Sequence, residues 1–176
     1  FRVNDPNDDQ LAFCIRLIPE KGSAIELEKS WKDSFFTFDT LPVPDGRYRL
    51  EVTATDAPSQ PFNAAQSATW RTNPFVIDHT PPTIPEIAAT TEGNSVRVRF
   101  TVKDESSVIK DAAISADGEN WLYVLPEDSV FDHREKSFNI LISKERVRGD
   151  RIIVKATDAC GNEQSVSVLI GESKRR

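Results

Sequence analysis

Asp78, Asp104 and Asp158 carry the most specific chemistry that the residue types of this chain offer. Carboxylates are hard oxygen donors, and calcium gathers about six to eight such oxygens from loops rather than from one element. The three aspartates lie far apart in sequence, so only a fold that brings loop ends together can make them a site. In a sandwich of strands, the loop after the second strand and the loop after the sixth lie at one end, where an entering linker also arrives. That geometry would gather Asp78, Asp104, Glu105 and Asp158, and a calcium ion there would stiffen the junction. The first half offers Asp5, Asp8, Asp9 and Asp56 in corresponding loops. No DxDxDG spacing marks an EF-hand loop, and aspartate at a turn ordinarily caps backbone N–H groups. Calcium binding and plain turn capping therefore stand side by side.

Other reactive constellations are thin. His79 and His133 are the only histidines, one in a linker and one in a polar loop, and neither has a GxSxG serine or an obvious nucleophile beside it. There is no GxxxxGK[ST] and no GxGxxG, and seven glycines leave little material for phosphate loops. Spacing alone selects no glycosidase pair among 28 Asp and Glu. The expectation is a chain that is not an enzyme. "RGD" at 148–150 admits an integrin reading, against which stands a turn made by Gly149 between two strands. Trp121, in "ENWLYV", is expected half-buried at a hairpin, while Trp31 and Trp70 belong either to a core or to an exposed platform for a glycan. Cys14 and Cys160 make no CxxC or Cys/His cluster and are expected as two buried or semi-buried thiols.

The elements that must position these groups are strands. "YRLEVTATD" alternates Tyr48, Leu50, Val52 and Ala54 with Arg49, Glu51 and Thr53; "SVRVRFTVKD" alternates Val96, Val98, Phe100 and Val102 with Arg97, Arg99, Thr101 and Lys103. A period of two marks strands with one face on a core and one in water. Further strands are expected near 11–18, 24–29, 34–39, 69–77, 84–90, 110–116, 121–125, 137–143 and 163–170. Turn signals punctuate them: "PDG" at 44–46, "DG" at 117–118, "RGD" at 148–150 and "CGN" at 160–162. No segment shows a 3.6-residue period of helical length.

A phrase also recurs. "LEVTATDA" at 50–57 matches "IVKATDA" at 153–159, which places Ala54 on Ala156, an offset of 102; "FRVNDPNDD" at 1–9 matches "FTVKDESSV" at 100–108, an offset of 99. A period near 100 residues signals tandem domains, since a solenoid repeats in about 20–50. Ala54 and Ala156 would be small because a facing sheet comes close, and Asp56 and Asp158 would cap the turn that follows. The second unit has a first strand at 84–90, whereas the first unit begins inside the equivalent of its second strand, at Phe1. With no methionine in 176 residues, the sequence reads as a processed product or an excised fragment.

Composition bounds the partners. With 38% apolar and 28% charged residues, the chain can bury a core in each half. The net charge is −6. Residues 1–80 carry 8 Lys and Arg against 12 Asp and Glu, and residues 81–176 carry 14 against 16. Neither half is basic, so nucleic acid is an unsuitable partner, and "KRR" at 174–176 reads as a solvated tail. No run of 18 apolar residues exists, so no membrane insertion is expected.

"DHTPPTIPEI" at 78–87 followed by "VKATDACGNEQS" at 154–165 resembles the linker and closing hairpin of tandem bacterial immunoglobulin-like and fibronectin type III-like modules. "LPVPDGRYRLEVTATDAPS" at 41–59 is similar to the late strands of fibronectin type III domains, with Leu41 and Tyr48 where that family keeps its tyrosine corner. "ISADGENWLYVLPEDSVFD" at 114–132 resembles a hairpin of C-terminal modules that sometimes follow propeller-type repeats. Asp150 stands where Tyr48 would align, so immunoglobulin-like suits the second unit better. The resemblance implies an all-β protein of two tandem sandwiches: a fibronectin III-like one at 1–80 lacking its N-terminal strand, and an immunoglobulin-like one at 81–176. It implies secreted, periplasmic or cell-surface location, and some similar adhesin-type modules bind calcium at their joints. The expected role is non-catalytic: spacing, presentation or adhesion within a larger bacterial protein, whose upstream domains would be partners. Two alternatives accompany it, a carbohydrate- or protein-binding module and an accessory part of an enzyme whose catalytic domain lies upstream.

Overall fold

The computed structural model describes residues 4, 6–7, 9–61, 63–171 and 173–175. The protein is all-β, and its chain divides into two compact units, Phe1–Ile77 and Asp78–Arg176. The division falls at Ile77/Asp78 rather than at the expected 80/81. No helix among the described residues is long and apolar enough to cross a membrane.

The first unit contains β1 (Ala12–Pro19), β2 (Ile25–Trp31), β3 (Gly46–Thr55), β4 (Ser67–Arg71) and β5 (Phe75–Ile77). They form one antiparallel sheet in the order β2-β1-β3-β4, with β5 also on β3. Phe13, Ile15 and Leu17 of β1 and Tyr48, Val52 and Ala54 of β3 are buried on the same side, the alternation that the sequence shows. The expected strand at 34–39 does not form. Its alternation nevertheless has a cause, because Phe36 and Phe38 turn inward onto the sheet while Phe35 is 70% exposed. Trp31 holds this segment by donating its indole N–H to the Phe35 carbonyl at 2.7 Å and meeting the Phe36 ring edge-on. A period of two reports which way side chains face, not whether the backbone finds a partner.

The expected strand at 69–77 is two strands, β4 and β5, broken at 72–74. Pro74 has no N–H to give to a ladder, and Thr72 takes over the pairing instead: its N–H donates to the Leu50 carbonyl and its hydroxyl accepts the Leu50 N–H. Trp70, on β4, pairs with Val52 of β3, and Trp31 lies on β2, at the opposite edge of the sheet, so the two do not form one platform. Trp70 is 58% exposed. The tyrosine-corner expectation divides in two. Tyr48 donates its hydroxyl to the Pro44 carbonyl at 2.7 Å, but Leu41 is 76% exposed and Val43 takes the buried place against the tyrosine.

The second unit contains β6 (Thr83–Glu92), β7 (Ser95–Lys103), β8 (Ile109–Ser115), β9 (Leu122–Tyr123), β10 (Glu135–Ser143), a single 3-10 turn at Lys144–Arg146, β11 (Arg151–Asp158), β12 (Glu163–Leu169) and β13 (Ser173–Arg175). These make two four-stranded sheets, β10-β7-β6-β13 and β12-β11-β8-β9. One hydrophobic cluster takes side chains from both, Val98, Phe100 and Phe138 from the first and Ile114, Val154 and Val168 from the second, as a β-sandwich requires. Gly93, at φ +56°, opens the two-residue loop between β6 and β7, a place where glycine adopts positive φ without a Cβ penalty. The expected solvated tail is a correction: Ser173–Arg175 pairs with Ala88, Ile87 and Glu86 as a fourth strand.

The recurring phrase has a structural counterpart. The order β2-β1-β3-β4 of the first unit repeats as β9-β8-β11-β12 in the second, with β3 ending inside "TATDA" and β11 inside "KATDA". Ala156 is fully buried and Ala54 nearly so. Phe1, Arg2, Val3 and Asp5, on which the other arm of the repeat rests, lie outside the described residues, as does Asp8.

Candidate metal centre

Two strand ends of the second unit and its first residue meet at one point. Asp78 follows β5 in sequence and begins the unit, Asp104 follows the last residue of β7, and Asp158 is the last residue of β11. One carboxylate oxygen from each lies within 4.8 Å of the others. Oxygens bound to one calcium at about 2.3–2.6 Å can be no farther apart than about twice that distance, so the spacing suits three ligands of one ion. Glu105, expected beside them, is exposed and outside the group.

Local structure fixes each carboxylate. Asp104 Oδ1 accepts the N–H groups of Ser106 at 2.8 Å and Ser107 at 2.7 Å, so the chain turns around it as it leaves β7. Asp158 is fully buried; its Oδ1 accepts the Asn162 N–H at 2.9 Å and its Oδ2 the Asn162 side-chain amide at 2.8 Å. Gly161, at φ +93°, supplies the left-handed residue this turn needs. The turn-capping expectation for Asp158 therefore holds. Asp56 caps a wider loop in the first unit, its Oδ1 accepting the Gln66 N–H at 2.6 Å.

Asp78 is different, because capping does not use it up. It is 6% exposed, and its Oδ1 accepts the Thr80 N–H at 3.1 Å. Its Oδ2 is buried with no hydrogen-bond partner. A buried carboxylate oxygen without a donor costs free energy, and buried polar atoms are nearly always satisfied. Burial pushes the Asp78 carboxyl above the usual range; the Ser107 hydroxyl and the Thr80 N–H act against this, and the charges of Asp104 and Asp158 add to it. A cation placed among the three would relieve both effects. No His or Cys atom belongs to the group, and an all-oxygen donor set favours calcium, magnesium or manganese over zinc or copper. The Cys160 thiol lies near enough for burial, Asp78 and Asp158 to push it up. As a residue Cys160 is exposed, contrary to the expectation of a buried thiol, while Cys14 is intermediate.

The remaining candidates are placed apart from this group. Asp9 Oδ2 accepts the Gln60 amide at 3.1 Å, and no comparable carboxylate group forms among the described residues of the first unit. His133 is exposed, with Nδ1 on Asp132. Arg148, Gly149 and Asp150 lie in an exposed turn before β11. Trp121 is 41% exposed and carries Lys155 Nζ 5.3 Å from its ring centre.

Two charged centres escaped the sequence reading. Lys136, at an inward-facing position of β10, is buried and reaches Asp128 at 2.7 Å and Asp132 at 2.5 Å. Glu51 is buried on the outward face of β3 between Arg16 and Arg71, whose Nε lies 2.6 Å from Oε2. Lysine among the alternating apolar residues of β10 was a visible signal. The Glu51 arrangement depends on cross-strand register and had none.

Compared with family models, curated proteins and solved structures, the chain shows no match to any of them.

Proposed function

We propose that this chain is a non-catalytic β-module of a larger extracellular bacterial protein, serving spacing, presentation or adhesion, and that a calcium ion at Asp78, Asp104 and Asp158 stabilises its second unit. The observation that carries the reading is the buried, partnerless Asp78 Oδ2 beside two further carboxylates. Three carboxylates on turns, with water completing the shell, resemble weak sites with dissociation constants on the order of 10⁻⁴ to 10⁻³ M. Such a site fills only where calcium is millimolar, which supports a secreted, periplasmic or cell-surface setting. The repeated strand order and the Tyr48–Pro44 hydrogen bond support tandem immunoglobulin-like or fibronectin III-like architecture.

Thermal unfolding in EDTA and in calcium tests the reading. At a calcium concentration 100 times the dissociation constant, linkage stabilises the native state by about 2.7 kcal/mol. For a unit of this size that shifts the midpoint by roughly 10–20 °C. A midpoint unchanged at that calcium concentration, about 10–100 mM for such a site, contradicts it.

A further inference from the structure

Four of the five arginines in residues 1–80, Arg16, Arg47, Arg49 and Arg71, stand on one face of the first unit's sheet. Arg47, Arg49 and Glu51 alternate along the outward side of β3. The register places Arg16 and Arg71 on either side of Glu51, with Ile18 opposite Arg49. A cavity of about 430 Å³ opens on this face where the chain breaks between β4 and β5. Arg47, Arg49 and Arg71 line it together with Glu20. In the cavity itself three guanidinium groups stand against the one carboxylate of Glu20, a positive spot on a chain of net charge −6; Arg16, outside the cavity, is matched by Glu51 and by Glu26 opposite it on β2.

The guanidinium groups are positioned but not exhausted. Arg49 gives Nη1 to the Thr72 carbonyl at 2.9 Å, and Arg71 gives Nε to Glu51. Each guanidinium has five N–H donors, so most remain unused. Arg47 has no side-chain hydrogen bond or ion pair among the described residues. A planar fork of donors matches the two oxygens of a carboxylate or sulfate. The rest of the exposed lining is apolar, Ile18, Pro19 and Pro74, with Tyr48 buried behind it. Arginine forks beside flat apolar groups, in a cavity of small-molecule size, suit a ligand with an acid group on a compact ring.

We infer that this cavity binds an acidic sugar residue, a uronate or a sulfated sugar of a polysaccharide, held at its acid group by Arg47, Arg49 and Arg71. The inference is independent of the metal centre, which belongs to the other unit.

The test is a titration of the full chain, without divalent cations, followed by backbone amide NMR. The probes are an oligogalacturonate, a sulfated oligosaccharide, a neutral cello-oligosaccharide of equal length and sodium sulfate. At least one acidic oligosaccharide is expected to shift amides of residues 18–20, 46–50 and 71–75, at least about tenfold more tightly than the neutral one. Arg47→Ala should weaken it about fivefold or more. Arg49→Lys, which keeps the charge but loses the fork, should also weaken it. Equal binding of neutral and acidic oligosaccharides, binding of sulfate with neither acidic oligosaccharide, or unchanged affinity in Arg47→Ala overturns the inference.

Discussion

Asn162 donates its side-chain amide to the main-chain carbonyl of Asp78, 84 residues earlier, at 3.0 Å. The same Nδ2 also serves Asp158 Oδ2 at 2.8 Å. One amide thus holds two of the three carboxylate-bearing residues in place while leaving Asp78 Oδ2 without a donor.

Asp78→Asn separates capping from cation binding by the sign of its effect. In EDTA the substitution removes a buried charge repelled by Asp104 and Asp158, so the variant should unfold at the same temperature as the parent or higher. In excess calcium the parent gains the ion's stabilisation and the variant loses most of it, so the order reverses. Thermal unfolding monitored by far-UV circular dichroism in both buffers gives the comparison; a variant less stable than the parent by the same amount in both contradicts the account.

The Lys136 centre predicts acid sensitivity. The hydrogen bonds from Lys136 and then His133 hold Asp132 down at about 2, and Lys136 likewise lowers Asp128. A carboxylate whose folded pKa lies below its unfolded value contributes stability that is complete above about 4. For Asp132 that stability is lost as pH falls toward 2. Urea midpoints between pH 6 and 2 should therefore fall steadily below pH 4. The fall should be smaller in Lys136→Met, which leaves two exposed carboxylates with nearly ordinary titration. Equal slopes in parent and variant would contradict the assignment.

Phe100 and Phe138 are cross-strand partners on β7 and β10, with ring centres 4.4 Å apart and planes 3° from parallel. Both are almost wholly buried in the second unit's core. Phe138→Ala should cost about 3–5 kcal/mol, the range for large aromatic truncations in a packed core. Denaturant unfolding followed at Trp121, the second unit's tryptophan, measures it. A loss under about 1 kcal/mol would mean that the core repacks around the missing ring.

Much of the second unit was legible because each strand buries one face, so its sequence alternates: Val96, Val98, Phe100 and Val102 are read from the sequence and found buried. The three-aspartate cluster was legible from the strand order. Strand ends carry turn aspartates, and the sandwich order brings particular ends together. The first unit was harder. Phe36 and Phe38 mimic a strand while lying over a sheet, and Pro74 interrupts a run that otherwise alternates. Leu41 fitted a familiar pattern by position, but Val43 is the residue that packs. Arg16, Glu51 and Arg71 come from three strands, and their register is a tertiary fact that no local window contains.

Isothermal titration of calcium into the metal-stripped chain tests the central claim most directly. The account predicts one site per chain with a dissociation constant on the order of 10⁻⁴ to 10⁻³ M, abolished in Asp104→Asn and in Asp78→Asn. No calcium binding in that range, or binding unchanged by both substitutions, would contradict it.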